Sequence, residues 1–273
     1  MSIDADLSDK TAIVTGASSG IGRAIAERMG AAGAHVILSG RTADAMAASA
    51  TRIGDSGGRA TVVVGDIRQP SAVDELVTTA LEADGHLDIF VNNAGVSFLG
   101  GVLDGTVDEW REMLDINVLS LLAGTTSAVA AMRKVGNRGH IVNVSSVAAL
   151  RPDSGVYGAT KHAVNVITNS LREELLDDPI QVVSIMPGLV ATNIGRNADP
   201  ELLAGIVALS GIEVEIVPGE RLPDHVLEAA QAALADIMIT PDDVADAVLY
   251  AVTQPSHVHI PEIVIRPNKN FDF

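Results

Sequence analysis

Short apolar runs rich in β-branched residues alternate along the chain with longer segments in which apolar residues recur every three or four positions. The first pattern is typical of a strand that is buried on both faces, and the second is typical of an amphipathic helix. The apolar runs predict strands over Lys10–Thr15, His35–Ser39, Ala60–Val64, Leu87–Asn92, Gly139–Ser145, Ile180–Met186 and Glu262–Ile265.

The helical pattern fills the segments between these strands. In Gly20–Ala31, for example, Ile21, Ile25 and Met29 recur on one face. Alternating strands and helices predict βαβ units and hence a parallel sheet with right-handed crossovers. We therefore expect residues 1–273 to form a single α/β domain, a doubly wound sheet of about seven strands with helices on both faces. The other predicted helices are Thr42–Ile53, Ser71–Ala83, Thr106–Met132, Gly155–Leu176 and Thr240–Val252.

One long span, Leu189–Thr240, interrupts the alternation. It contains two helix candidates, Asp199–Leu209 and Pro223–Met238, and between them Gly211–Arg221, which reads as a strand or a loop. Connections of this length are uncommon in compact domains and are often lids or binding loops. We expect a substrate lid at about 189–240, before the last helix and strand.

Composition narrows the possible partners and the compartment. The net charge is −17, so the surface should repel nucleic acid and anionic membranes. No run of eighteen apolar residues predicts a membrane span. The chain has no cysteine, which excludes disulfides and thiol catalysis, and its first residues do not resemble a signal or transit peptide. A cytoplasmic enzyme is expected.

The first strand ends in TGASSGIG, at positions 15–22, directly before a helix. Glycines in this place allow a sharp turn and let the backbone approach a pyrophosphate, which binds the free N–H groups at the helix N-terminus. The turn predicts a dinucleotide site formed by Gly16, Ser18, Ser19, Gly20, Ile21 and Gly22.

The end of the second strand bears on which dinucleotide binds. NAD sites usually place a carboxylate here, on the adenosine ribose diol. This chain has Gly40, which carries no acid, followed by Arg41, whose guanidinium suits a 2′-phosphate. The pattern favours NADP(H).

Tyr157 and Lys161 are four residues apart, so they project from one face of a helix. A phenol with the ordinary pKa of about 10 is a poor proton donor or acceptor at neutral pH, and an adjacent ammonium lowers that pKa. The pair therefore predicts a general acid/base, Tyr157, tuned by Lys161.

These motifs together resemble the short-chain dehydrogenase/reductase family. The resemblance covers roughly residues 8–192 and resumes at 240–267. The matching segments are Thr15–Gly22, Asn92-Asn93-Ala94-Gly95, Asn117, Ser145-Ser146, Tyr157-x-x-x-Lys161 and Pro187-Gly188-x-Val190-x-Thr192.

The resemblance implies a Rossmann fold and assigns further roles. Lys161 would also hold the nicotinamide ribose, Ser146 would hold the substrate oxygen, and Asn117 would anchor a water beside the lysine. Cofactor contacts would come from Asp66 and Ile67 at the adenine, Asn93 at a ribose, and Val190 and Thr192 at the nicotinamide carboxamide. Other cofactor contacts would come from Ala94, Gly95, Tyr157, Pro187 and Gly188.

Two departures from the family pattern leave alternatives open. The connection from Ser146 to Tyr157 is shorter than usual, so Ser145 is an alternative catalytic serine. Ser19 stands where NADP-preferring relatives often have a basic residue, so half of that signature is missing.

The expected activity is NADP(H)-dependent interconversion of a small-molecule carbonyl (ketone or aldehyde) and an alcohol, without a metal. The alternatives are an inactive NADP(H)-binding sensor or scaffold, an NAD-preferring alcohol dehydrogenase of the same family, and an epimerase or dehydratase of the extended family. By resemblance we expect a homo-oligomer, a tetramer or possibly a dimer, that pairs through Thr106–Met132 and Gly155–Leu176. The substrate is not identified.

Overall fold

The computed structural model describes residues 5–136, 138–198, 200–217 and 219–269. Seven strands form one sheet in the order β3-β2-β1-β4-β5-β6-β7, and every neighbouring pair is parallel. This confirms the predicted doubly wound Rossmann fold. The strands are β1 (Thr11–Thr15), β2 (His35–Gly40), β3 (Arg59–Val64), β4 (Ile89–Asn92), β5 (Gly139–Val144), β6 (Ile180–Pro187) and β7 (Glu262–Ile265).

The helices cover both faces of the sheet. They are α1 (Gly20–Ala31), α2 (Ala43–Asp55), α3 (Pro70–Asp84), α4 (Val107–Leu114), α5 (Ser120–Val135), α6 (Gly155–Glu174), α7 (Pro200–Leu209), α8 (Asp224–Ala233) and α9 (Pro241–Val252). A π-helical segment, Asp115–Leu119, joins α4 to α5, and 3-10 turns lie at Val147–Leu150 and Asn193–Gly195.

Side chains that alternate along each strand build two separate cores. In β1, Val14 packs in the core under α1 and α9, whereas its neighbour Ile13 packs on the opposite face with residues of α3 and α5. The same alternation separates Leu38 from Ile37 in β2. Burial on both faces explains why the strands read as continuous apolar runs.

The strand order reverses between β1 and β4, which is where a doubly wound sheet opens a crevice at its carboxyl edge. Thr15 ties the two strand ends together there. Its Oγ1 donates to Val91 O at 3.1 Å and accepts from the backbone N–H groups of Asn93 and Ala94, each at 3.0 Å. The Asn93 side chain donates back to Thr15 O at 2.9 Å. This network fixes the floor of the crevice.

Most predicted element boundaries differ from the structure by one or two residues, and two helices differ by more. The helix predicted over Thr106–Met132 contains the π-helical segment and runs on to Val135. The helix predicted over Pro223–Met238 ends at Ala233, since the chain turns before Ile239 pairs with Val190. The described residues of 211–221 form no strand, and Asp199, predicted to begin a helix, lies outside the described residues.

The segment Val107–Val135 is long and apolar enough to cross a membrane by length and composition alone, with a mean hydropathy of 1.4 over its most apolar window. Half of that window is buried against the rest of the protein. Buried residues such as Ala128 and Met132 belong to the core under α3 and the sheet. We therefore describe it as a core helix.

Candidate active site

A cleft of about 940 Å³ opens at the carboxyl edge of the sheet, beginning at the crevice between β1 and β4. Every residue that the sequence predicts for catalysis or cofactor binding lines this cleft, except Asn117. The three segments expected around a substrate, Val96–Leu99, Val147–Val156 and Leu189–Thr240, also contribute to its wall. The predicted site residues thus converge, although the sequence places them far apart.

The glycine-rich turn needs its glycines for two reasons. Gly16 and Gly20 have φ angles of +68° and +55°, in the left-handed region that other residues avoid. A Cβ on Gly16 would also lie 2.9 Å from Ala94 Cα. Ser19, the residue before α1, does not cap the N-terminus of this helix with its side chain. The first N–H groups of α1 are therefore left for a ligand that lies against the turn.

Tyr157 lies half-buried at the start of α6, and its ring packs on the small core cluster that contains Val96, Met113 and Ile116. Burial raises the pKa of the Tyr157 phenol, and a side-chain hydrogen bond with Ser146 partly opposes that rise. In the free protein, desolvation of the phenolate thus outweighs the opposing influence of Ser146. The lowering of this pKa by Lys161 stays a prediction.

Lys161 is buried one turn beyond Tyr157, with only 5% of its surface exposed. Its Nζ donates to Val144 O at 2.9 Å and lies 5.9 Å from the centroid of the Tyr157 ring. Burial lowers the pKa of Lys161 to about 8. The ammonium is held by the end of β5 and faces the cleft from below the tyrosine.

The two serines after β5 point in different directions, as successive residues of extended backbone do. Ser145 is buried, and its hydroxyl donates to Lys161 O at 3.2 Å. Ser146 is half-buried, accepts from Ala148 N at 3.1 Å, and is the side chain that opposes the rise in the pKa of Tyr157. The geometry therefore favours Ser146 as the serine beside the tyrosine hydroxyl, despite the short connection between them.

Asn117 lies in the π-helical segment, behind the cleft wall, with 2% of its surface exposed. Its side chain accepts from Val96 N and donates to Val96 O, both at 2.9 Å, and it also donates to Thr160 Oγ1 at 3.0 Å. A Cβ on Gly95 would lie 3.4 Å from Asn117 Oδ1 and 3.7 Å from Lys161 Nζ, so the asparagine and the lysine are close. The side chain itself holds the Gly95–Val96 loop in place. The predicted role in anchoring a water stays a prediction.

The ends of β2 and β3 form the end of the cleft where the sequence predicts that adenosine binds. Arg41 is exposed and lines the cleft, and Gly40 packs beside Ser18 of the glycine-rich turn. Asp66 also lines this end, but its carboxylate binds the Arg68 guanidinium, with both oxygens 3.0 Å from Nε. That hydrogen bond lowers the pKa of Asp66. The Asp66 charge is thus largely offset by Arg68.

Sequence reasoning missed four arginines that line the same cleft: Arg151, which pairs with Asp153, and Arg196, Arg221 and Arg266. Arg196 and Arg221 lie in the predicted lid, and Arg266 follows β7. No motif marks them, because each is brought to the cleft by long-range packing of segments that show no repeated spacing. Their common charge could have been noticed in the sequence, but their common location could not.

Comparison with known proteins gives a consistent result. The family model described as short chain dehydrogenase matches residues 10–202. An uncharacterized oxidoreductase of Staphylococcus epidermidis is 36% identical over 265 residues, 96% of this chain and 99% of that protein.

Two solved structures illustrate the similarity in three dimensions. A short chain dehydrogenase from Burkholderia cenocepacia, in complex with NADP, is 30% identical with a TM-score of 0.75 and covers 95% of this chain and 97% of its own. The closed form of a serine dehydrogenase, complexed with NADP+, is 28% identical with a TM-score of 0.76 and covers 94% of both chains.

Proposed function

Since the chain belongs to the short-chain dehydrogenase family, whose relatives here are oxidoreductases, we propose that it is an NADP(H)-dependent oxidoreductase that interconverts a ketone or aldehyde and the corresponding alcohol. The observation that carries this proposal is that Tyr157, Ser146 and the buried Lys161 line the same cleft, with Lys161 Nζ 5.9 Å from the centroid of the Tyr157 ring. These are the groups needed to move a proton to or from a substrate oxygen.

The cleft fits a phosphorylated dinucleotide. The uncapped N-terminus of α1 offers N–H groups to a pyrophosphate, and Arg41 offers a guanidinium at the adenosine end. The two solved structures described above both hold NADP. Asn93, Pro187, Gly188, Val190 and Thr192 line the cleft between the turn and Tyr157, where the ribose and nicotinamide would bind.

When bound, the cofactor supplies or accepts the hydride. In the direction of reduction, the Tyr157 hydroxyl donates its proton to the carbonyl oxygen as that oxygen becomes negative, and the Ser146 hydroxyl donates a hydrogen bond to the same oxygen. In oxidation, Tyr157 accepts the alcohol proton. The Tyr157 phenolate is the base in oxidation and is left after proton donation in reduction. Lys161 stabilises this phenolate electrostatically, and its own lowered pKa lets it pass a proton onward near neutral pH.

Replacement of Tyr157 by Phe tests the proposal. The variant removes one hydroxyl and keeps the ring that packs on Val96, Met113 and Ile116. We expect kcat for reduction of responsive carbonyls to fall by about 10²–10⁴-fold, the usual contribution of general acid catalysis. The Kd for NADPH should stay within about twofold, because binding energy comes mainly from the phosphates and the ribose. Tyr250→Phe is the matched control, since Tyr250, the other tyrosine, lies on α9 with 45% of its surface exposed.

If Tyr157→Phe keeps more than a tenth of the wild-type kcat while Tyr250→Phe is unchanged, Tyr157 is not the general acid/base. The alternative of an inactive sensor gives a different result. In that case the wild-type protein binds NADPH but consumes none with any aldehyde or ketone in a broad panel.

A further inference from the structure

The cleft is cationic in a protein that is strongly acidic. The chain has 35 acidic and 18 basic side chains, other than histidine. Yet Arg41, Arg196, Arg221 and Arg266 line the cleft, and none of them forms an ion pair within the part of the chain that the structure describes. Unpaired guanidinium groups gathered in one cleft favour an anionic ligand there.

Arg221 lies at the adenosine end of this cleft. Its guanidinium donates to Ser18 Oγ at 3.2 Å, although the two residues are 203 positions apart. Ser18 in turn packs on Gly40, since a Cβ on that glycine would lie 3.4 Å from Ser18 Cβ. Arg221 therefore reaches the glycine-rich turn beside Arg41.

Arg196 lies near both Arg221 and Arg41. The pKa of the half-buried Arg196 is lowered mainly by burial, and further by the charges of Arg221 and then Arg41. The Arg196 guanidinium is therefore close enough to those of Arg221 and Arg41 for their charges to act on it. Repulsion among unpaired cations is relieved when a dianion binds between them.

The backbone around Arg221 is held in place. The next residue, Leu222, is bound at both backbone groups by the Asn193 side chain, with distances of 2.8 and 3.1 Å. Two residues further on, Asp224 forms an ion pair of 2.5 Å with Arg23 of α1. The segment that carries Arg221 is thus tied to the base of the lid on one side and to α1 on the other.

From this arrangement we propose that Arg221 is the second cation of the adenosine 2′-phosphate site, and that it acts together with Arg41 from the opposite side of Ser18. The proposal rests on the proposed NADP(H) function and deepens it. Arg221 takes the place of the basic residue that the glycine-rich turn lacks at Ser19. It follows that the lid itself helps to select NADP(H) over NAD(H).

The experiment uses two fragments that differ by one phosphate, adenosine 2′,5′-bisphosphate and 5′-AMP. Their Kd values are measured by calorimetry on the full-length wild type, Arg221→Gln and Arg221→Lys. A hydrogen bond to a charged group contributes about 1.5–3 kcal/mol. Arg221→Gln should therefore raise the Kd of adenosine 2′,5′-bisphosphate by roughly ten- to a hundredfold. The same variant should change the Kd of 5′-AMP by less than about twofold. Arg221→Lys should recover part of the lost affinity for the bisphosphate.

Asp224→Asn is the matched control. It breaks the nearby ion pair with Arg23 and leaves Arg221 in place, and Asp224 does not line the cleft. If the effect came from loosening of the lid, this variant would reproduce it. We expect Asp224→Asn to leave the ratio of the two Kd values unchanged, because the Asn193 side chain still holds Leu222 beside Arg221.

The outcomes separate the two proposals. If the wild type binds the bisphosphate no better than 5′-AMP, the NADP(H) preference itself is wrong. If the wild type discriminates and Arg221→Gln discriminates equally well, or if Asp224→Asn has the same effect as Arg221→Gln, the role of Arg221 is overturned while the NADP(H) preference stands.

Discussion

At the scale of single residues, cofactor choice should depend on the two positions that end β2 and begin the next turn. Gly40 does not have a positive φ, and a side chain there would meet the flexible Met46 thioether at 3.2 Å, so substitution is sterically tolerable. Gly40→Asp would place a carboxylate where it repels a 2′-phosphate and accepts from a ribose diol. Arg41→Ala would remove a phosphate ligand.

We expect each of these changes to lower the ratio of kcat/KM for NADPH to that for NADH by about tenfold or more, as the loss or reversal of a charge-assisted contact implies. Arg52→Ala is the control, because Arg52 lies on α2, pairs with Glu27 and does not line the cleft. A wild-type ratio below one would show that the enzyme is the NAD-preferring alternative.

The residues of the candidate site differ in how far the sequence could predict them. Tyr157 and Lys161 could be paired because helical spacing is local and fixed. The orientation of Ser145 and Ser146 depends on where β5 ends, which the strand pattern misplaced by one residue. Arg221 could not be predicted at all, because its neighbour Ser18 is far away in sequence and only lid packing joins them. Predictions thus failed where position depends on tertiary contacts.

At the scale of elements, the edge of the sheet opposite the cleft is held by a buried carboxylate. Asp84, at the end of α3, accepts hydrogen bonds from the first residues of β1, β2 and β3, namely Thr11, His35 and Arg59. Its side chain is 10% exposed. Burial alone would raise the pKa of Asp84, but these three donors together lower it to about 2.

Because the folded-state pKa of Asp84 lies below its unfolded value, Asp84 stabilises the fold above about pH 4, and this contribution is lost as the pH falls toward 2. Asp84→Asn should therefore lower the free energy of unfolding by about 1–3 kcal/mol at pH 6, the usual penalty for leaving buried donors poorly paired. Urea titrations at pH 6 and pH 3 measure this difference, which should shrink at the lower pH. Asp108→Asn, in an exposed ion pair with Arg111, should change little at either pH. If the free energies of unfolding of wild type and Asp84→Asn differ by the same amount at both pH values, the charge of Asp84 does not stabilise the fold.

The lid also belongs to the scale of elements. Its two ends are joined where Ile239 N donates to Leu189 O at 2.9 Å, beside the parallel bridge from Val190 to Ile239. Between these ends α7 and α8 contact each other, and each has buried residues, such as Val207 and Val226. The lid is tied to α1 by the Arg23–Asp224 ion pair and to the glycine-rich turn by Arg221. It can move over the cleft without disturbing the sheet only when these two contacts open.

We expect NADPH to slow amide hydrogen exchange across residues 193–239 more than in β5 or β6, because Thr192, Arg196 and Arg221 would contact its phosphates and nicotinamide. Exchange measured by mass spectrometry with and without NADPH checks this. Peptides from β5 and β6 serve as the internal reference. If amides of the lid already exchange as slowly as those of the strands in the free protein, the lid is a fixed wall of the cleft.

At the scale of the whole molecule, the single chain leaves an apolar surface on the helices that we expect to pair. Leu119 and Leu122, at the junction of the π-helical segment with α5, have 57% and 36% of their surfaces exposed, and Val166 on α6 has 52%. These residues lie on the two helices named from the family resemblance. Exposed apolar side chains on adjacent helices of an otherwise strongly acidic protein favour burial between copies of the chain.

We therefore predict a homo-oligomer, a tetramer or a dimer, that is held together through α5 and α6. Leu119→Glu combined with Val166→Glu should shift the protein toward the 28.2 kDa monomer, since two charges per chain would be buried without partners. Light scattering at micromolar concentration measures the mass. Leu209→Glu, which places the same charge at an exposed leucine of α7, should leave the assembly intact. A wild-type protein that is already monomeric at that concentration would refute the prediction, and the exposed leucines would then need another explanation.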